Sequence, residues 1–213
     1  MKLRTLVFFL FLALSMTLNS AEAGRRKEKA HKKSGIVRII NNLYLSDIKS
    51  ARDTDLLKRK GIKWILDVKA NKKNLQAYKG DSSSAERSSS SGYNDKPDYD
   101  TYGKLRYRHI STKDKTDFNL KRHFEPAIQF IKYGIDRDEA VLVHCNMGVS
   151  RSVSIVMAFL MDQYCLSYDQ SYALVKERRR EMRPNSGFEK QLKKFWEEKQ
   201  KECESSSDSS SSD

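Results

Sequence analysis

The chain has 213 residues, of which 38% are hydrophobic and 32% are charged. Its 41 Lys and Arg residues outnumber 28 Asp and Glu residues, which gives a net charge of +13 at pH 7. This length allows one domain with a sizeable core, and the charge favours anionic partners such as phosphorylated or acidic proteins, sulfated glycans or anionic lipid. The basic residues are spread along predicted helices and do not alternate with aromatic residues on a strand face, so the pattern does not favour nucleic acid.

Residues 1–23 have the three parts of a secretory signal peptide. A basic start precedes a 13-residue apolar run, from Leu6 to Leu18, and an A-x-A cleavage pattern that ends at Ala23. A spanning helix needs about 20 apolar residues, so we expect no stable membrane span and predict a secreted protein. The following basic segment, residues 24–35, is predicted to be a flexible arm. Its positive charge leaves open an uncleaved signal anchor with the rest of the chain in the cytosol.

Downstream of the arm, the hydrophobic pattern alternates between short apolar strands and helices. The predicted strands are residues 36–40, 43–45, 62–68, 104–110 and 139–144. The predicted helices are residues 46–60, 120–136, 153–161, 168–182 and 187–202. This alternation predicts an α/β fold, in which residues 36–202 form a single domain with a mostly parallel central sheet flanked by helices.

Two segments depart from this alternation. Residues 69–102 form a polar, Ser-rich insertion whose composition cannot bury much surface. Residues 203–213 form a tail of Ser and acidic residues that is predicted to be disordered.

The chain contains three cysteines, so in an oxidising compartment at least one thiol stays free or pairs with another molecule. If Cys145 is a catalytic residue, Cys165 and Cys203 are the two cysteines available to pair. They either form a disulfide, or stay apart as a small hydrophobic residue near a helix end and an exposed tail residue. The sequence does not decide between these alternatives.

The chemistry of the sequence is concentrated between Val141 and Val156. An apolar strand ends at His144, a polar loop runs from Cys145 to Arg151, and an apolar helix follows. Such a loop directs several backbone N–H groups and the positive end of the helix dipole to one point. The stretch therefore predicts a phosphate-binding loop between a strand and a buried helix, with a thiol at its floor and a guanidinium on its rim.

The motif His144-Cys145-x-x-Gly148-x-x-Arg151-Ser152 resembles the active site of the cysteine-based protein phosphatases, and most closely their dual-specificity branch. Other segments resemble landmarks of that family in the same order: Asn42–Ser46, Gly61–Val68, Asp114 with Phe118–Leu120, and Arg183–Leu192. The resemblance extends over residues 36–196, apart from the insertion. It implies a protein phosphatase that hydrolyses phosphotyrosine and phosphoserine or phosphothreonine through a phosphocysteine intermediate.

The resemblance also implies a role for each catalytic residue. Cys145 is the nucleophile, and the helix start, the loop amides and Arg151 all favour its thiolate. Arg151 can hold two phosphoryl oxygens with a planar fork that Lys lacks. Asp114 is the general acid, Ser152 hydrogen-bonds the sulfur, and His144 orients the loop from behind. No metal or other cofactor is required.

The remaining loop positions are predicted to bind the substrate. These positions are Asn146, Met147, Gly148, Val149 and Ser150, together with Arg151. Gly148 lets the backbone fold close to the anion without a Cβ atom. Lipid-phosphate branches of the superfamily tend to carry basic residues here, so the uncharged loop favours a phosphorylated protein. Secretion then suggests secreted or secretory-pathway phosphoproteins as substrates.

Three alternatives remain at this point. Asp117 competes with Asp114 as the acid, although Asp117 also suits a loop or the start of a helix. The segment Arg178–Arg180 is predicted to be a solvated helix face rather than a docking patch. A second class of function is a catalytically weak phosphate-binding module, in which oxidation disables Cys145 and the loop only docks phosphorylated or acidic partners.

Overall fold

Seven short strands form one sheet in the part of the chain that the computed structural model describes, residues 35–71, 86–88 and 97–208. The strands are β1 (Val37–Ile40), β2 (Leu43–Ser46), β3 (Ile62–Lys69), β4 (Glu86–Ser88), β5 (Tyr99–Tyr102), β6 (Leu105–Ser111) and β7 (Ala140–His144). Their order across the sheet is β1-β2-β7-β3-β6-β5-β4. The neighbours among β2, β7, β3 and β6 are parallel, whereas β1, β5 and β4 join antiparallel.

Helices cover both faces of the central strands. They are α1 (Ile48–Ala51), α2 (Thr54–Arg59), α3 (Phe124–Ile135), α4 (Arg151–Tyr164), α5 (Tyr168–Arg178) and α6 (Ser186–Asp208), with a 3₁₀ turn at Lys121–His123. Side chains alternate between the faces along a strand, so Ile65 joins a cluster with Ala51 and Leu57, while Trp64 packs against Phe130 of α3. The predicted single α/β domain with a mostly parallel sheet is confirmed, and Trp64 is a core residue.

The carboxyl ends of three parallel strands meet at one edge of this sheet. Every residue of β7 is buried, as expected for a central strand with helices on both faces. β7 ends at His144, beside the ends of β3 at Lys69 and β6 at Ser111. In open α/β sheets, ligands bind at this edge.

Two aspartates divide the first predicted helix. The Asp47 carboxylate accepts a hydrogen bond from the Ser50 amide at 2.7 Å, and the Asp53 carboxylate accepts one from the Leu56 amide at 2.8 Å. Each aspartate is therefore an N-cap, and each starts a helix of its own. The prediction of one continuous helix over residues 46–60 is wrong for this reason.

Two strands lie within the predicted insertion, residues 69–102. They are β4 and β5, and β3 also extends one residue into it, to Lys69. Tyr102 of β5 is buried, and its ring contacts that of Tyr107 in β6, with 5.9 Å between the centroids. Because polar residues lie between the tyrosines, the sequence did not predict this strand. Its extended structure depends on pairing with β6. Most of the insertion lies outside the described residues, as do the predicted signal peptide and nearly all of the arm.

The last helix is longer than predicted. α6 continues to Asp208, so the prediction of a disordered tail is wrong over residues 203–208. Cys203 forms a disulfide with Cys165, the residue that ends α4. The alternative in which these two cysteines stay apart is therefore wrong. One turn earlier, Lys199 Nζ lies 2.8 Å from the Asp162 carboxylate of α4 and 2.8 Å from Glu202.

By its contacts the chain divides into two units. Residues 34–203 form the unit with the sheet, and the chain ends form the other, of which only the helical residues 204–208 are described. No helix among the described residues is long and apolar enough to cross a membrane.

Candidate active site

The loop between β7 and α4 has its backbone carbonyls turned outward. Four consecutive carbonyl oxygens accept hydrogen bonds from groups outside the loop. The four bonds run from Ile48 N to Asn146 O (3.0 Å), from Arg179 Nη2 to Met147 O (3.0 Å), from Arg179 Nε to Gly148 O (2.7 Å) and from Arg183 N to Val149 O (2.7 Å). In a planar trans peptide, the next N–H points away from the carbonyl. The amides of residues 147–150 are therefore directed into the loop, towards one anion site.

Arg179 holds this loop from behind. Its guanidinium donates to two loop carbonyls and, through Nη1, to Gly35 O at 3.0 Å. Arg179 leaves the helical conformation (φ −133°), so α5 ends at Arg178, four residues before its predicted end. The side chain is only 5% exposed. The prediction that the whole segment Arg178–Arg180 is a solvated helix face is therefore wrong for its middle residue.

Gly148 is required by the space behind the loop. Its φ of +66° lies in the left-handed region that favours glycine. A Cβ atom there would lie 2.5 Å from Ser46 O and 2.9 Å from Arg179 Nη2. The sequence predicted that this glycine clears space for the anion. The geometry adds a different reason, which is the contact with the end of β2.

Cys145 lies under the loop, only 1% exposed, and its thiol is free of any disulfide. Two groups donate hydrogen bonds to its Sγ atom, the Gly148 amide and the Ser152 hydroxyl, both at 3.2 Å. Donors aimed at sulfur stabilise a thiolate over a thiol. Ser152 therefore lies where its predicted role requires it.

Arg151 begins α4 and is 6% exposed. Its Nη1 donates to Thr112 O at 3.4 Å, and its Nε lies 3.4 Å from the Asp114 Oδ2 atom. The Nε atom makes no hydrogen bond to any described residue, so its contact with Asp114 is one of charge. A guanidinium held at the loop in this way can present a fork of N–H groups to a phosphoryl group.

Asp114 lies over the loop. Its Oδ1 accepts hydrogen bonds from Ser150 Oγ at 2.7 Å and from Asn185 Nδ2 at 2.9 Å. Asp114 keeps 35% of its side chain exposed, as a residue that meets a substrate must. No hydrogen bond or ion pair among the described residues joins Asp117 to the loop. The structure brings Asp114 to Ser150 and Arg151 of the loop, and leaves Asp117 exposed.

A buried polar cluster lies behind His144, and the sequence analysis did not predict it. The register of three parallel strands places His109, Asp67 and His144 side by side. Lys69 Nζ and the Tyr107 hydroxyl donate hydrogen bonds to Asp67 Oδ2, and His109 Nδ1 lies 3.3 Å from the same oxygen. Asp67 is fully buried, so its charge is compensated by these neighbours.

His144 links this cluster to the loop. Its Nδ1 lies 3.3 Å from Cys145 O, and because a carbonyl only accepts, Nδ1 is the protonated nitrogen. Nε2 faces Asp67 Oδ1 at 3.8 Å, and neither atom hydrogen-bonds to a described residue. Burial lowers the pKa of His144, and the charge of Asp67 opposes that shift only in part. A neutral His144 that donates to the loop backbone suits the orienting role predicted for it.

The pKa of Asp67 is lowered to about 2. Burial alone would raise the pKa of Asp67, but the hydrogen bonds from His109, Lys69 and Tyr107, together with the neighbouring His144, outweigh burial. Asp67 is therefore an anion at neutral pH. Polar residues at inward positions of three strands were the available signal, but only the strand pairing shows that they meet.

A thiol under a cradle of amides, with a guanidinium and a carboxylate at its rim, can hold and attack a phosphoryl group. Together with the strand–loop–helix setting in an α/β sheet, this site defines the cysteine-based phosphatase class. A family model described as "Dual specificity phosphatase, catalytic domain" matches residues 43–198. The chain belongs to the dual specificity phosphatase family.

Individual relatives agree with this assignment. Human dual specificity protein phosphatase 9 is 33% identical over 159 residues, which cover 75% of this chain and 35% of the relative. Dual specificity protein phosphatase 22-B of Danio rerio is 31% identical over 166 residues, which cover 76% of this chain and 74% of the relative. The chain thus spans about a third of the length of the human relative.

A solved structure supports the fold. The crystal structure of a mouse putative dual specificity phosphatase complexed with zinc tungstate superimposes with a TM-score of 0.66 and 22% identity. The match covers 84% of this chain and 96% of the mouse chain. At this level of identity, the similarity is one of fold alone.

Proposed function

We propose that the protein is a protein phosphatase that hydrolyses phosphotyrosine and phosphoserine or phosphothreonine through a phosphocysteine intermediate. The single observation that carries this proposal is the set of contacts at the sulfur. Cys145 Sγ accepts two hydrogen bonds at 3.2 Å beneath the amides of the loop, with Arg151 and Asp114 at its rim. Family membership supports the same reaction class.

The first step transfers the phosphoryl group to sulfur. The Cys145 thiolate attacks phosphorus, so a P–S bond forms while the bond to the substrate oxygen breaks. Arg151 and the loop amides bind the three non-bridging oxygens and stabilise the charge that they carry in the transition state. Asp114 gives its proton to the leaving alkoxide or phenolate, which departs as the free hydroxyl.

The second step returns the enzyme to its starting state. Asp114, now a carboxylate, takes a proton from a water molecule as the water oxygen attacks phosphorus. The P–S bond breaks, and its electron pair returns to Cys145 as a thiolate. The Ser152 hydroxyl donates a hydrogen bond to that sulfur and makes it a better leaving group. The net reaction consumes one water and releases inorganic phosphate.

The rim of the loop supports a protein substrate. Met147 is 68% exposed, and no charged side chain occurs between Cys145 and Arg151. An exposed apolar side chain beside the phosphate site can pack against a peptide, whereas an inositol phosphate would call for additional cations. The contacts of Met147 are therefore expected to be with the residues that flank a phosphorylated side chain.

We further propose that the substrates are secreted or secretory-pathway phosphoproteins. Two features support this location, the signal-like leader and the Cys165–Cys203 disulfide. Disulfides form and persist mainly in oxidising compartments. Sequencing the N-terminus of the protein from expressing cells tests the proposal: secreted material that begins at Gly24 is expected. An intact leader on membrane-bound protein would instead support the signal-anchored alternative.

The reaction itself is tested with phosphotyrosyl and phosphothreonyl peptides and a small aryl phosphate. The purified wild-type protein, kept in reductant, is expected to release phosphate from all three. A Cys145→Ser variant is expected to release none while still binding the phosphotyrosyl peptide. Wild-type protein that is reduced, folded and inactive on every substrate would overturn the proposal.

A second function, a phosphate-binding module with weak catalysis, is favoured by one observation. The chain carries a disulfide, and an environment that forms this disulfide would also favour oxidation of Cys145, after which the sulfur is not a nucleophile. This alternative predicts phosphopeptide binding without turnover, even after reduction. Turnover that appears on adding reductant supports the phosphatase instead.

A further inference from the structure

Asp67 and His144 face each other behind the loop, and we propose that they hold a proton that strengthens phosphoryl binding. Asp67 is fully buried, and His144 is 1% exposed. His144 directly precedes Cys145, so a proton taken up by its ring adds a positive charge behind the loop. This inference rests on the proposed phosphatase function, and it makes Asp67 a positioning residue that acts on the reaction through His144.

The ring of His144 lies between two acceptors. Its Nδ1 is 3.3 Å from Cys145 O, and its Nε2 is 3.8 Å from Asp67 Oδ1. A neutral imidazole carries one N–H group, so it can donate to only one of these oxygens. The shorter contact takes that proton, and Nε2 and Asp67 Oδ1 then face each other as two acceptors, neither hydrogen-bonded to a described residue. Such a pair is unfavourable because both atoms are buried.

A second proton on the ring removes this conflict. An imidazolium has two N–H groups, so it donates to Cys145 O through Nδ1 and to Asp67 Oδ1 through Nε2. Closing the gap of 3.8 Å to hydrogen-bond length needs a movement of about 1 Å. Both bonds are then charge-assisted, and the charges of Asp67 and His144 compensate each other away from water. The geometry therefore favours the protonated pair.

Groups on several elements decide at which pH this proton binds. Burial lowers the pKa of His144 most. Asp67 and the Cys145 carbonyl raise the pKa, and the cations of Lys69 in β3 and Arg52 at the end of α1 lower it again. The net direction is downward, so His144 is neutral at pH 7 and takes up its proton in mildly acidic solution.

Asp67 remains an anion when this happens, since its pKa is lowered to about 2. His109 of β6 competes for the proton, because its Nδ1 lies 3.3 Å from Asp67 Oδ2. A proton on His109 would lie farther from the loop, since β3 separates β6 from β7. The two histidines therefore have to be followed separately.

The proton on His144 is coupled to anion binding in the loop. His144 is the last residue of β7, and the amides of residues 147–150 converge just beyond it. A positive charge on His144 attracts an anion in the loop, and by linkage a bound anion strengthens proton binding by the same factor. Such coupling is typically about 5-fold or more. Phosphoryl binding is therefore expected to tighten as the pH falls through the titration of His144.

The first measurement follows the histidine rings by NMR between pH 8 and pH 5, in the full chain with Cys145→Ser. His144→Gln and His109→Gln variants assign the signals. The His144 ring is expected to titrate within this range. In Asp67→Asn its midpoint is expected to fall by at least about one pH unit, because the neighbouring anion is lost.

Two variants are expected to move the midpoint the other way. Lys69→Gln removes a cation and leaves Asp67 less compensated, so the His144 midpoint should rise. Arg52→Gln removes a more distant cation and should raise it less. Tyr107→Phe is the control, since it removes a hydrogen bond to Asp67 and no charge. Thermal melting checks that each variant is folded, and shifts of opposite sign exclude a general loss of structure.

The second measurement is the affinity for sulfate over the same pH range, by isothermal titration calorimetry. Sulfate keeps both negative charges throughout, and Cys145→Ser removes the titration of the thiol. Any proton taken up by Asp114 at the rim is common to the proteins compared. On acidification, the affinity of the protein with Asp67 is expected to rise about 5-fold more than that of Asp67→Asn.

The outcomes separate this proposal from the phosphatase itself. A His144 ring that stays neutral down to pH 5, or titrates alike with and without Asp67, overturns the proton site, and so does uptake by His109 instead. Parallel sulfate curves overturn the coupling. If the wild type then hydrolyses an aryl phosphate, the phosphatase stands without the proton. Coupled titration in a protein whose wild type hydrolyses nothing keeps the proton site and loses the phosphatase.

Discussion

The two ends of α4 hold cysteines in opposite states. In the loop before the helix, Cys145 is a buried free thiol, whereas Cys165 at the end of the helix is bonded to Cys203. The helix has 14 residues and is therefore about 21 Å long. Since a disulfide needs Cα atoms within about 7 Å, the folded chain cannot exchange one pairing for the other. Distance and burial therefore keep the free thiol before α4 apart from the disulfide at its end.

The largest contrast between these ends is in catalysis. Cys145→Ser is expected to lower phosphatase turnover by at least about 10⁴-fold, because the nucleophile is lost. Cys203→Ser is expected to leave turnover within a few-fold of wild type. Initial rates on an aryl phosphate measure both. Comparable losses in the two variants would show that the disulfide, and not the free thiol alone, supports the reaction.

The role of the candidate general acid, Asp114, can be tested separately from that of Cys145. Asp114→Asn is expected to slow hydrolysis about 10²–10⁴-fold, because an amide cannot protonate the leaving group. The loss should be greatest for substrates with alkyl leaving groups, which need the proton most. Asp117→Asn is the matched control, and its rate should stay near that of wild type. A larger loss in Asp117→Asn would exchange the roles of the two aspartates.

The oxidised end is expected to matter for stability. The disulfide closes a loop of 38 residues, and replacing both Cys165 and Cys203 with Ser should reduce the free energy of unfolding by about 3 to 4 kcal/mol. Urea unfolding followed by circular dichroism measures the loss. The variant also separates two effects of reductant, which protects Cys145 but opens the disulfide. Equal stability of the variant and the oxidised wild type would mean that Lys199 and packing alone hold α6.

The smallest effect on stability is expected in the buried polar cluster around Asp67. Asp67→Asn should destabilise the protein by about 2 kcal/mol at pH 7, because Lys69 and His109 lose an anionic partner. The folded pKa of Asp67 is lowered from 3.8 to about 2, so its contribution is complete above pH 3.8 and is lost as the pH falls through 2.

The difference between wild type and Asp67→Asn should therefore narrow as the pH is lowered from 5 towards 3, in urea titrations at each pH. Tyr107→Phe is a milder control, since it removes one donor to Asp67 and no charge. A difference that stays constant or widens on acidification would mean that the Asp67 charge is not what stabilises the cluster.

The parts of the site that are contiguous in the chain could be predicted from the sequence. The residues from His144 to Ser152 form one motif, and their types already specify an anion cradle with a nucleophile. What holds the cradle could not be predicted, because it comes from distant segments. Arg179 lies 31 residues beyond the carbonyl that it binds, and Asp67 meets His144 only through strand pairing.

The fold shows the same division. β3 and β7 are apolar runs and were predicted within a residue or two, since burial on both faces leaves a local signal. β5 has mixed polar and aromatic residues, and pairing with β6 decides its structure. Likewise, residues 203–208 were predicted to be a disordered polar tail, because the sequence around Cys203 does not show that this cysteine is bonded to Cys165.

The hydrogen bonds from Arg179 to the loop carbonyls have a consequence for turnover. With its carbonyls bound from outside, the loop is held in an anion-binding conformation before any substrate arrives. Binding a phosphoryl group is therefore expected to cost little conformational entropy of the loop. The segment that carries Asp114 meets the loop through Ser150 and Arg151, and we expect this segment, and not the loop, to adjust during turnover.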